Sequence, residues 1–324
     1  MDTFKGPLFI VGMPRSGTKL LRNLLNQHPE ISIPSVETHF IPYLYHKLQY
    51  QFPIDTGKLA NIYDELAETT FFEDMRKKGK HLDKYNLVTV ASEATNWSDV
   101  FGFLLRHYGP KSSPNVIIGD KTPSYITKMR TLKQDIFPNA KFLHIIRDPR
   151  DCCLSAKKLW GKSPLLFASV WHESVQKARS DAAIFSKDYL EIQYEELLEH
   201  PEKVLKRTCA FIGIDYQSEM ITLKKPAENY GDAKNAKQIV NSNKKKYRLG
   251  LSPSTIRRIE EVTFPSAKES GYLFEYATRH RPLLSITKVL LTLTSGYYAF
   301  RFHIREKGLK HGISYYLRLH NVTH

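Results

Sequence analysis

The chain of 324 residues is long enough to bury a sizeable core, and with 41% hydrophobic and 25% charged residues it has the composition of an ordinary globular protein. Its 48 lysines and arginines against 33 acidic residues give a formal net charge of +15, which predicts an anionic partner such as a nucleotide, a nucleic acid, an acidic glycan or an anionic lipid. Three cysteines, two of them adjacent (Cys152 and Cys153) and one distant (Cys209), exclude a disulfide framework or a zinc spacing and favour a reducing compartment.

The chain opens with the pattern of a strand, a turn and a helix. The apolar run Leu8–Val11 predicts a buried strand, and leucines 20, 21, 24 and 25 form one face of a helix predicted over Thr18–Gln27. The whole apolar run, Pro7 to Val11, is too short for a signal peptide, so we expect a cytoplasmic location.

The turn between this strand and helix has the form Gly12-x-x-x-x-Gly17, the glycine spacing of a nucleotide-phosphate loop. Backbone N–H groups of such a turn, together with those of the helix N-terminus, form a cradle for a phosphate or sulfate. The residues predicted to bind the anion are Arg15, Ser16, Gly17, Thr18 and Lys19.

The order of Thr18 and Lys19 distinguishes two kinds of phosphate loop. In a Walker A loop the lysine comes first and the following hydroxyl holds Mg²⁺, with a further acidic ligand from another strand. Here the order is reversed, and Asp120, which ends an apolar strand, is followed at once by Lys121. We therefore predict no metal and keep an ATP–magnesium phosphotransferase as an alternative.

Strands and helices alternate through residues 1–280. Further strands are predicted at Val116–Ile118, Lys141–Ile146 and near Tyr189–Gln193. The helix after the first of these begins near Ser124, the helix after the second ends near Trp160, and helices also follow Gln193. Helical insertions are predicted at about Lys58–Lys78, Trp97–Tyr108 and Ser163–Lys187. This alternation predicts a three-layer α/β domain, P-loop-like, with helices on both faces of a central parallel sheet. Ligands then gather at the carboxyl ends of the strands.

A strongly basic segment follows the last predicted strand and its helices. Between Lys224 and Arg258 ten lysines and arginines stand against Glu228 and Asp232. The segment has the composition of a loop, and Ser254 is predicted to cap the helix beyond it.

Residues 281–324 are predicted to be a basic, partly amphipathic helical extension. Leu283, Ile286, Leu290 and Leu293 fall on one helical stripe, which suits either contact with an anionic membrane surface or packing against the domain formed by residues 1–280. A membrane span is not expected, because the stretch from 283 to 300 contains Lys288, a glycine and several hydroxyl groups.

A second motif has the chemistry of a phosphate site. Arg147 ends a predicted strand and Ser155 lies in the following helix, so that a guanidinium and a hydroxyl can converge on one dianionic phosphate. Taken without the glycine loop, the motif is better explained by surface ion pairs of Arg147 with Asp148 or of Arg150 with Asp151; together with that loop, it favours a nucleotide contact.

Both motifs resemble those of one enzyme family. The segment “GMPRSGTKLLRNLLNQHPE” resembles the 5′-phosphosulfate-binding loop of sulfotransferases that use 3′-phosphoadenosine 5′-phosphosulfate, and “FLHIIRDPRDCCLSAKKL” resembles their 3′-phosphate-binding segment. The similarity is best with the branch of bacterial, tyrosylprotein and carbohydrate sulfotransferases and covers Pro7–Pro42, Ile118–Trp160 and Tyr189–Ile214. It implies this nucleotide as co-substrate, no metal, and transfer of a sulfuryl group to an acceptor hydroxyl.

The resemblance also implies roles for single residues. Glu37, in “SVETHF”, is the base expected to take the acceptor proton, with His39 as the alternative base. Lys121 and Lys19 are expected to stabilise the departing oxygen, because negative charge grows there as the S–O bond breaks. Further contacts with the nucleotide are expected from Arg147, Ser155, Tyr194, Ser242 and Lys246, although the late basic loop that holds the last two departs from the family's pattern.

The class of the acceptor stays open among glycans, lipid or sterol alcohols, phenols and protein tyrosines. Aromatic residues in “THFIPYLYHKLQY” favour an apolar or ring-shaped acceptor. A basic nucleic-acid-binding protein would also explain the net charge and is a second alternative, but we expect no nucleic acid among the partners. The extension also allows peripheral contact with an anionic membrane.

Overall fold

The computed structural model describes residues 4, 6–111, 113–224, 226 and 234–323. Its centre is a sheet of five parallel strands in the order β2-β3-β1-β4-β5. The strands are β1 (Leu8–Gly12), β2 (Ile31–Ser32), β3 (Ile117–Lys121), β4 (Lys141–Ile146) and β5 (Tyr189–Gln193). Strand order reverses on either side of β1, which in an open α/β sheet is where a ligand crevice forms beyond the carboxyl ends of the strands.

Helices make up most of the remaining chain. They are α1 (Thr18–Leu25), α2 (Phe40–Leu48), α3 (Thr56–Ala67), α4 (Thr70–Lys77), α5 (Lys84–Ala91), α6 (Trp97–Tyr108), α7 (Met129–Thr131), α8 (Pro149–Trp160), α9 (Pro164–Ala182), α10 (Tyr194–Glu199), α11 (Pro201–Ile212), α12 (Tyr247–Gly250), α13 (Pro253–Glu269), α14 (Ser285–Lys307) and α15 (Leu309–Thr323). The predicted three-layer α/β architecture with a parallel sheet is confirmed.

The central strand shows why the layers form. Every residue of β1 is buried, and its side chains alternate between the two faces of the sheet. Phe9 and Val11 join a core with helices α2 to α6, whereas Leu8 and Ile10 join a core with α1 and α11. A third core, built around Trp171, packs α8, α9 and α13 together beyond the end of β4. The sheet is therefore covered on both faces, as its continuous apolar strands require.

Several predicted boundaries shift, each for a local reason. Helix α1 ends at Leu25, two residues before the predicted end, because the side-chain amide of Asn26 pairs with the backbone N–H and carbonyl of Ile33. Strand β3 runs further than predicted, to Lys121, and the helix predicted to begin near Ser124 is replaced by a 3₁₀ turn over Pro123–Thr127, the short α7 and a π-helical turn over Leu132–Ile136.

The cap of α13 was assigned to the wrong serine. Ser252 Oγ accepts the N–H of Thr255 at 3.3 Å, so the helix begins at Pro253, and Ser254 lies inside its first turn. Proline at the first helical position fixes this start, since it has no N–H to be satisfied there.

The C-terminal extension packs against the rest of the protein. Helix α14 lies along α8 and α9, with Lys288 Nζ 2.5 Å from Glu173 Oε1, and Gly308 (φ 79°) turns the chain so that α15 returns over α2 and α4. There Tyr315 donates a hydrogen bond of 2.8 Å to Asp74 Oδ2, and Glu73 pairs with Arg318 and other cations. In the part of the chain that is described, no helix has the length and apolar character needed to cross a membrane.

Candidate active site

The loop after β1 has the form of an anion cradle. Its backbone turns through left-handed conformations at Arg15 (φ 75°) and Gly17 (φ 92°), and Ser16 donates its N–H to the carbonyl of Met13 at 3.1 Å. Gly17 occupies the cap position of α1, where a side-chain oxygen usually accepts the first N–H groups, and glycine has no side chain to do so. These N–H groups therefore point toward a site at which an anion can accept them.

The two glycines of the loop are required by close contacts. A Cβ atom at Gly17 would overlap the ring of Tyr194, and one at Gly12 would overlap the carbonyl oxygen of Ile145. Tyr194, predicted to lie near the nucleotide, thus packs directly against the cradle.

Arg147 is held at the centre of a contact network beside the loop. Its guanidinium lies 4.4 Å from the centre of the Tyr194 ring and donates hydrogen bonds to the carbonyls of Arg15 (3.0 Å) and Asn243 (2.9 Å). The side chain is 8% exposed, and among the described residues its Nε has no hydrogen-bond partner. The structure therefore does not show the surface pair of Arg147 with Asp148; instead, this guanidinium retains a donor that an anionic ligand could use.

Ser155 is joined to the same network through Arg15. The Arg15 Nε donates to Ser155 Oγ at 3.0 Å, while the Arg15 carbonyl accepts from Arg147. The sequence motif thus brings the residues predicted for the two phosphate sites into one contiguous cluster. Arg150, in contrast, is a structural residue: it forms buried ion pairs with Asp148 (2.7 Å) and Glu260 (2.6 Å).

The late basic loop reaches the site through a residue that sequence reasoning missed. Asn243 accepts from Arg147 and donates from its side chain to the Tyr194 hydroxyl at 2.8 Å, whereas Ser242 is exposed and Lys246 precedes α12. Asp151 anchors this loop, because its carboxylate accepts the N–H groups of Lys245 (2.7 Å) and Tyr247 (3.0 Å). The only sequence signal for this anchor was the position of Asp151, an acid four residues after Arg147 and in the first turn of α8.

The predicted base lies between the ammonium of Lys121 and the imidazole of His39. Glu37 Oε1 pairs with the ammonium of Lys121, and its Oε2 lies 3.1 Å from His39 Nε2, so the two rival bases contact each other. Lys121 is 1% exposed and lies behind Glu37, whose own side chain is 31% exposed. Burial alone would raise the pKa of Glu37, but Lys121 and His39 hold it well below its usual range.

The segment that carries Glu37 is tied to the end of β3. The Thr38 backbone N–H donates to Thr122 Oγ1 at 3.0 Å, and the Thr38 and Tyr125 hydroxyl groups lie 2.8 Å apart. His39 adopts a positive φ of 52° at the cap of α2, a conformation that is unfavourable for a residue with a Cβ and is retained here. This turn directs Glu37 and His39 to the same cavity.

Two buried groups near the site are not part of its surface. Asp120 is fully buried, its carboxylate oxygens have no hydrogen-bond partner among the described residues, and burial raises its pKa to about 6. The thiol of Cys152 lies 3.5 Å from Ser16 Oγ, and burial raises its pKa to about 12. Cys153 and Cys209 are likewise buried free thiols.

The cradle and the base share one cavity of about 540 Å³. The cavity is lined by the cradle residues Arg15, Gly17, Thr18 and Lys19 and by the pair Glu37 and His39, while Trp160 and Lys162 line one wall. The C-terminal helices supply the remaining wall with Ala299, Phe302, His303, Glu306, Lys307, Tyr315 and Leu319. The extension therefore forms part of the site, which the sequence did not indicate. Lys121 does not line this cavity, whereas Lys19 does.

The aromatic residues expected to wall the acceptor site lie elsewhere. Tyr45 and Tyr50, from “THFIPYLYHKLQY”, line a different cavity of about 1020 Å³ with Trp97, whose ring stacks on Tyr50 at 6.2 Å. The aromatic rings beside Glu37 come instead from the end of α8 and from the extension. No group of three or more His, Cys, Asp or Glu side chains in the described parts of the chain is placed to share a metal ion.

Known proteins share both the sequence pattern and the fold. A family model described as “Sulfotransferase family” matches residues 7–218. Protein-tyrosine sulfotransferase A of Caenorhabditis elegans is 25% identical over 222 residues, which are 66% of this chain and 51% of that protein. Nodulation protein NoeE of Sinorhizobium fredii is 25% identical over 230 residues, 64% of this chain and 50% of that protein. The chain thus spans about half the length of these curated relatives.

Two solved structures have the same fold. The sulfotransferase domain of the Synechococcus PCC 7002 olefin synthase superposes with a TM-score of 0.59 at 23% identity, covering 83% of this chain and 95% of that one. The sulfotransferase domain of the curacin biosynthetic pathway gives 0.57 at 20% identity, covering 85% and 100%. The structural similarity therefore extends well beyond the two phosphate-type sequence motifs.

Proposed function

Since this chain belongs to the sulfotransferase family, we propose that it transfers a sulfuryl group from 3′-phosphoadenosine 5′-phosphosulfate to a hydroxyl group of an acceptor. The observation that carries the proposal is the shared cavity: an uncapped helix N-terminus with its phosphate-type loop lies in the same space as an ionised carboxylate. A sulfuryl group held at the loop would face a group able to take a proton.

The donor-binding residues fit the proposed nucleotide. The backbone of Arg15 to Lys19 would hold the 5′-phosphosulfate, since the α1 cap is open to an anion. Arg147 and Ser155 would bind the 3′-phosphate, with the Arg147 Nε as a donor already buried and unpaired within the described chain. Tyr194 and Asn243, which both contact Arg147, would lie beside the nucleotide at this phosphate.

The reaction itself needs a base and a cation. Glu37 accepts the acceptor's hydroxyl proton as the acceptor oxygen forms its new bond to sulfur, and the bond from sulfur to the 5′-phosphate oxygen breaks to leave adenosine 3′,5′-bisphosphate. Lys19, which lines the cavity, stabilises the negative charge on that departing oxygen. Lys121 is placed behind Glu37 and acts first as a positioning residue that keeps the carboxylate ionised and oriented.

The alternatives have less support in the geometry. A magnesium-dependent phosphotransferase needs a carboxylate in contact with the metal, but Asp120 is fully buried and does not line the cavity. We propose that the net charge serves an anionic nucleotide and an anionic membrane surface and not a nucleic acid, because the basic residues Arg15, Lys19, Lys162 and Lys307 line this cavity. The proposed location is cytoplasmic and membrane-peripheral.

Incubation of the protein with ³⁵S-labelled donor and a cell extract, with products separated by chemical class, tests the activity and names the acceptor. Label transfer that persists in excess EDTA is expected, whereas strict dependence on magnesium would favour the phosphotransferase.

Replacement of Glu37 by alanine tests the base. Turnover should fall by about 10²–10⁴-fold, the usual contribution of a general base, with little change in the affinity for adenosine 3′,5′-bisphosphate. Unchanged turnover in this variant, with a large loss in His39→Ala, would transfer the role to His39.

A further inference from the structure

Helix α14 presents its most apolar face to the outside. Ile286, Val289, Leu290, Leu293 and Tyr297 recur at helical spacing on one side of it, and their exposed fractions lie between 57% and 71%. We call these five residues the α14 stripe. Toward α8 and α9 the same helix directs Lys288, which pairs with Glu173, the partly buried Leu291 and the buried Ser295. The helix therefore leaves more of its apolar side chains exposed than a surface helix in water usually does.

Charges flank the stripe but are absent from it. No lysine, arginine, histidine or acid occurs between Lys288 and Arg301. Exposed arginines stand at both ends, Arg279 and Arg281 before the helix and Arg301 and Arg305 near its end, and Glu306 is the only acidic residue from position 281 to the C-terminus. An uncharged apolar strip between cationic ends matches the interface of an anionic bilayer, where apolar side chains enter the acyl boundary and arginines meet the head groups.

We propose that the α14 stripe is a docking surface for an anionic lipid bilayer. A second copy of the chain fits this surface poorly, because both ends of the stripe carry arginines. Parallel or antiparallel pairing of two stripes would therefore place arginine against arginine, and like charges across an interface oppose association. A bilayer with anionic head groups instead satisfies both ends at once.

The docking surface is adjacent to the candidate active site. Ala299, Phe302 and Glu306, on the other side of the same helix, line the cavity that contains Glu37. A helix with its side chains is about 10–12 Å across, so a docked bilayer would lie roughly one helix diameter from the cavity. If the proposed sulfuryl transfer is correct, this position favours an acceptor hydroxyl carried by a membrane lipid.

Flotation of the full chain with vesicles tests the surface. Vesicles of phosphatidylcholine with about one-third phosphatidylserine should bind the protein, and vesicles of phosphatidylcholine alone should bind it much more weakly. The triple variant Ile286→Gln, Val289→Gln and Leu293→Gln should bind the anionic vesicles at least about 30-fold more weakly, because three apolar side chains no longer enter the interface. Arg301→Gln and Arg305→Gln should each weaken binding about fivefold at low salt.

A matched control separates docking from general surface hydrophobicity. The variant Tyr85→Gln, Val90→Gln and Leu273→Gln removes three equally exposed apolar side chains from other surfaces, and it should bind vesicles like the unchanged protein. Thermal unfolding of each variant establishes that α14 still packs on the protein.

Three results would overturn the proposal. They are failure of the unchanged protein to float with anionic vesicles, flotation that the stripe variant does not reduce, and a dimer in solution that the stripe variant converts to a monomer. Binding of adenosine 3′,5′-bisphosphate, measured by calorimetry on the same samples, reports separately on the proposed function. A protein that binds this nucleotide but no vesicle refutes only the docking surface, and one that binds vesicles but not the nucleotide refutes only the sulfotransferase site.

Discussion

Two glycines of this chain share a backbone conformation but differ in their surroundings. Gly17 has φ 92° and faces the ring of Tyr194, whereas Gly213, at the end of α11, has φ 88° and has no atom near the place of a Cβ. An alanine costs backbone strain at both positions, but only at position 17 does it also displace a ring of the candidate nucleotide site.

We expect Gly17→Ala to abolish measurable binding of adenosine 3′,5′-bisphosphate, and Gly213→Ala to lower stability by about 1 kcal/mol while leaving that binding unchanged. Calorimetry and thermal unfolding of both variants provide the comparison. Equal losses of binding would show that strain in the chain, and not the contact with Tyr194, accounts for the effect.

The pair of Glu37 and Lys121 gives a prediction about pH. Lys121 is the main cation that opposes the effect of burial on the Glu37 carboxyl group, so its removal should let the pKa of Glu37 rise. In Lys121→Met the acidic limb of kcat/KM should therefore move to higher pH by at least about one unit. Lys19→Met, which removes a cation that lines the cavity, should lower turnover without this movement. An unmoved limb in Lys121→Met would separate Lys121 from the base.

At the scale of elements, the extension contributes aromatic side chains to the cavity. Phe302 lines it, whereas Phe300, on the same helix, packs edge-on against Tyr316 at 5.6 Å and does not. Phe302→Ala should raise KM for the acceptor by up to about tenfold, the effect of losing a partly buried aromatic contact, and should leave the nucleotide affinity unchanged. Phe300→Ala is the matched control, and an equal rise in KM there would indicate a general loosening of α14.

The elements show which parts of this protein could be predicted from sequence. The bounds predicted for strand β4 match the structure and the approximate bounds given for β5 and α6 agree with it, because apolar residues at strand or helix spacing determine these elements. The loop Gly12–Gly17 was predicted because glycine spacing constrains the backbone locally. The packing of α14 and α15 over the cavity was not, since it depends on side-chain pairs such as Tyr315 with Asp74, 241 positions apart in the chain.

The same limit explains what sequence reasoning missed at the site. The approach of Asn243 to Arg147 joins segments with no shared motif, and the placement of Lys121 behind Glu37 depends on how β3 and the start of α2 pack. Residue types and their order along the chain indicated the chemistry, while three-dimensional contacts decide which cation lines the cavity.

For the whole molecule, one buried carboxyl group influences stability across the pH range. Burial raises the pKa of Asp120 to about 6, so the folded chain binds this proton more tightly than the unfolded chain. The contribution of Asp120 to the free energy of unfolding is therefore greatest below the ordinary carboxyl pKa of about 4. This contribution is lost as the pH rises through about 6.

Asp120→Asn removes this loss. Relative to the unchanged protein, the variant should be more stable at pH 8 by about 2–3 kcal/mol, and the difference should vanish near pH 4. Urea unfolding at the two pH values measures it, with the exposed Asp135→Asn as control. A variant that is less stable at pH 8 would show that Asp120 is ionised and supported there.

The buried thiols make the natural chain a convenient background for site-specific labelling. Cys152, Cys153 and Cys209 are each at most 1% exposed, and burial raises the pKa of every one of them, so none is a ready nucleophile toward maleimides. A single cysteine introduced at Leu293 can then carry an environment-sensitive fluorophore without removal of the native ones. Its emission would report how deeply helix α14 enters a bilayer.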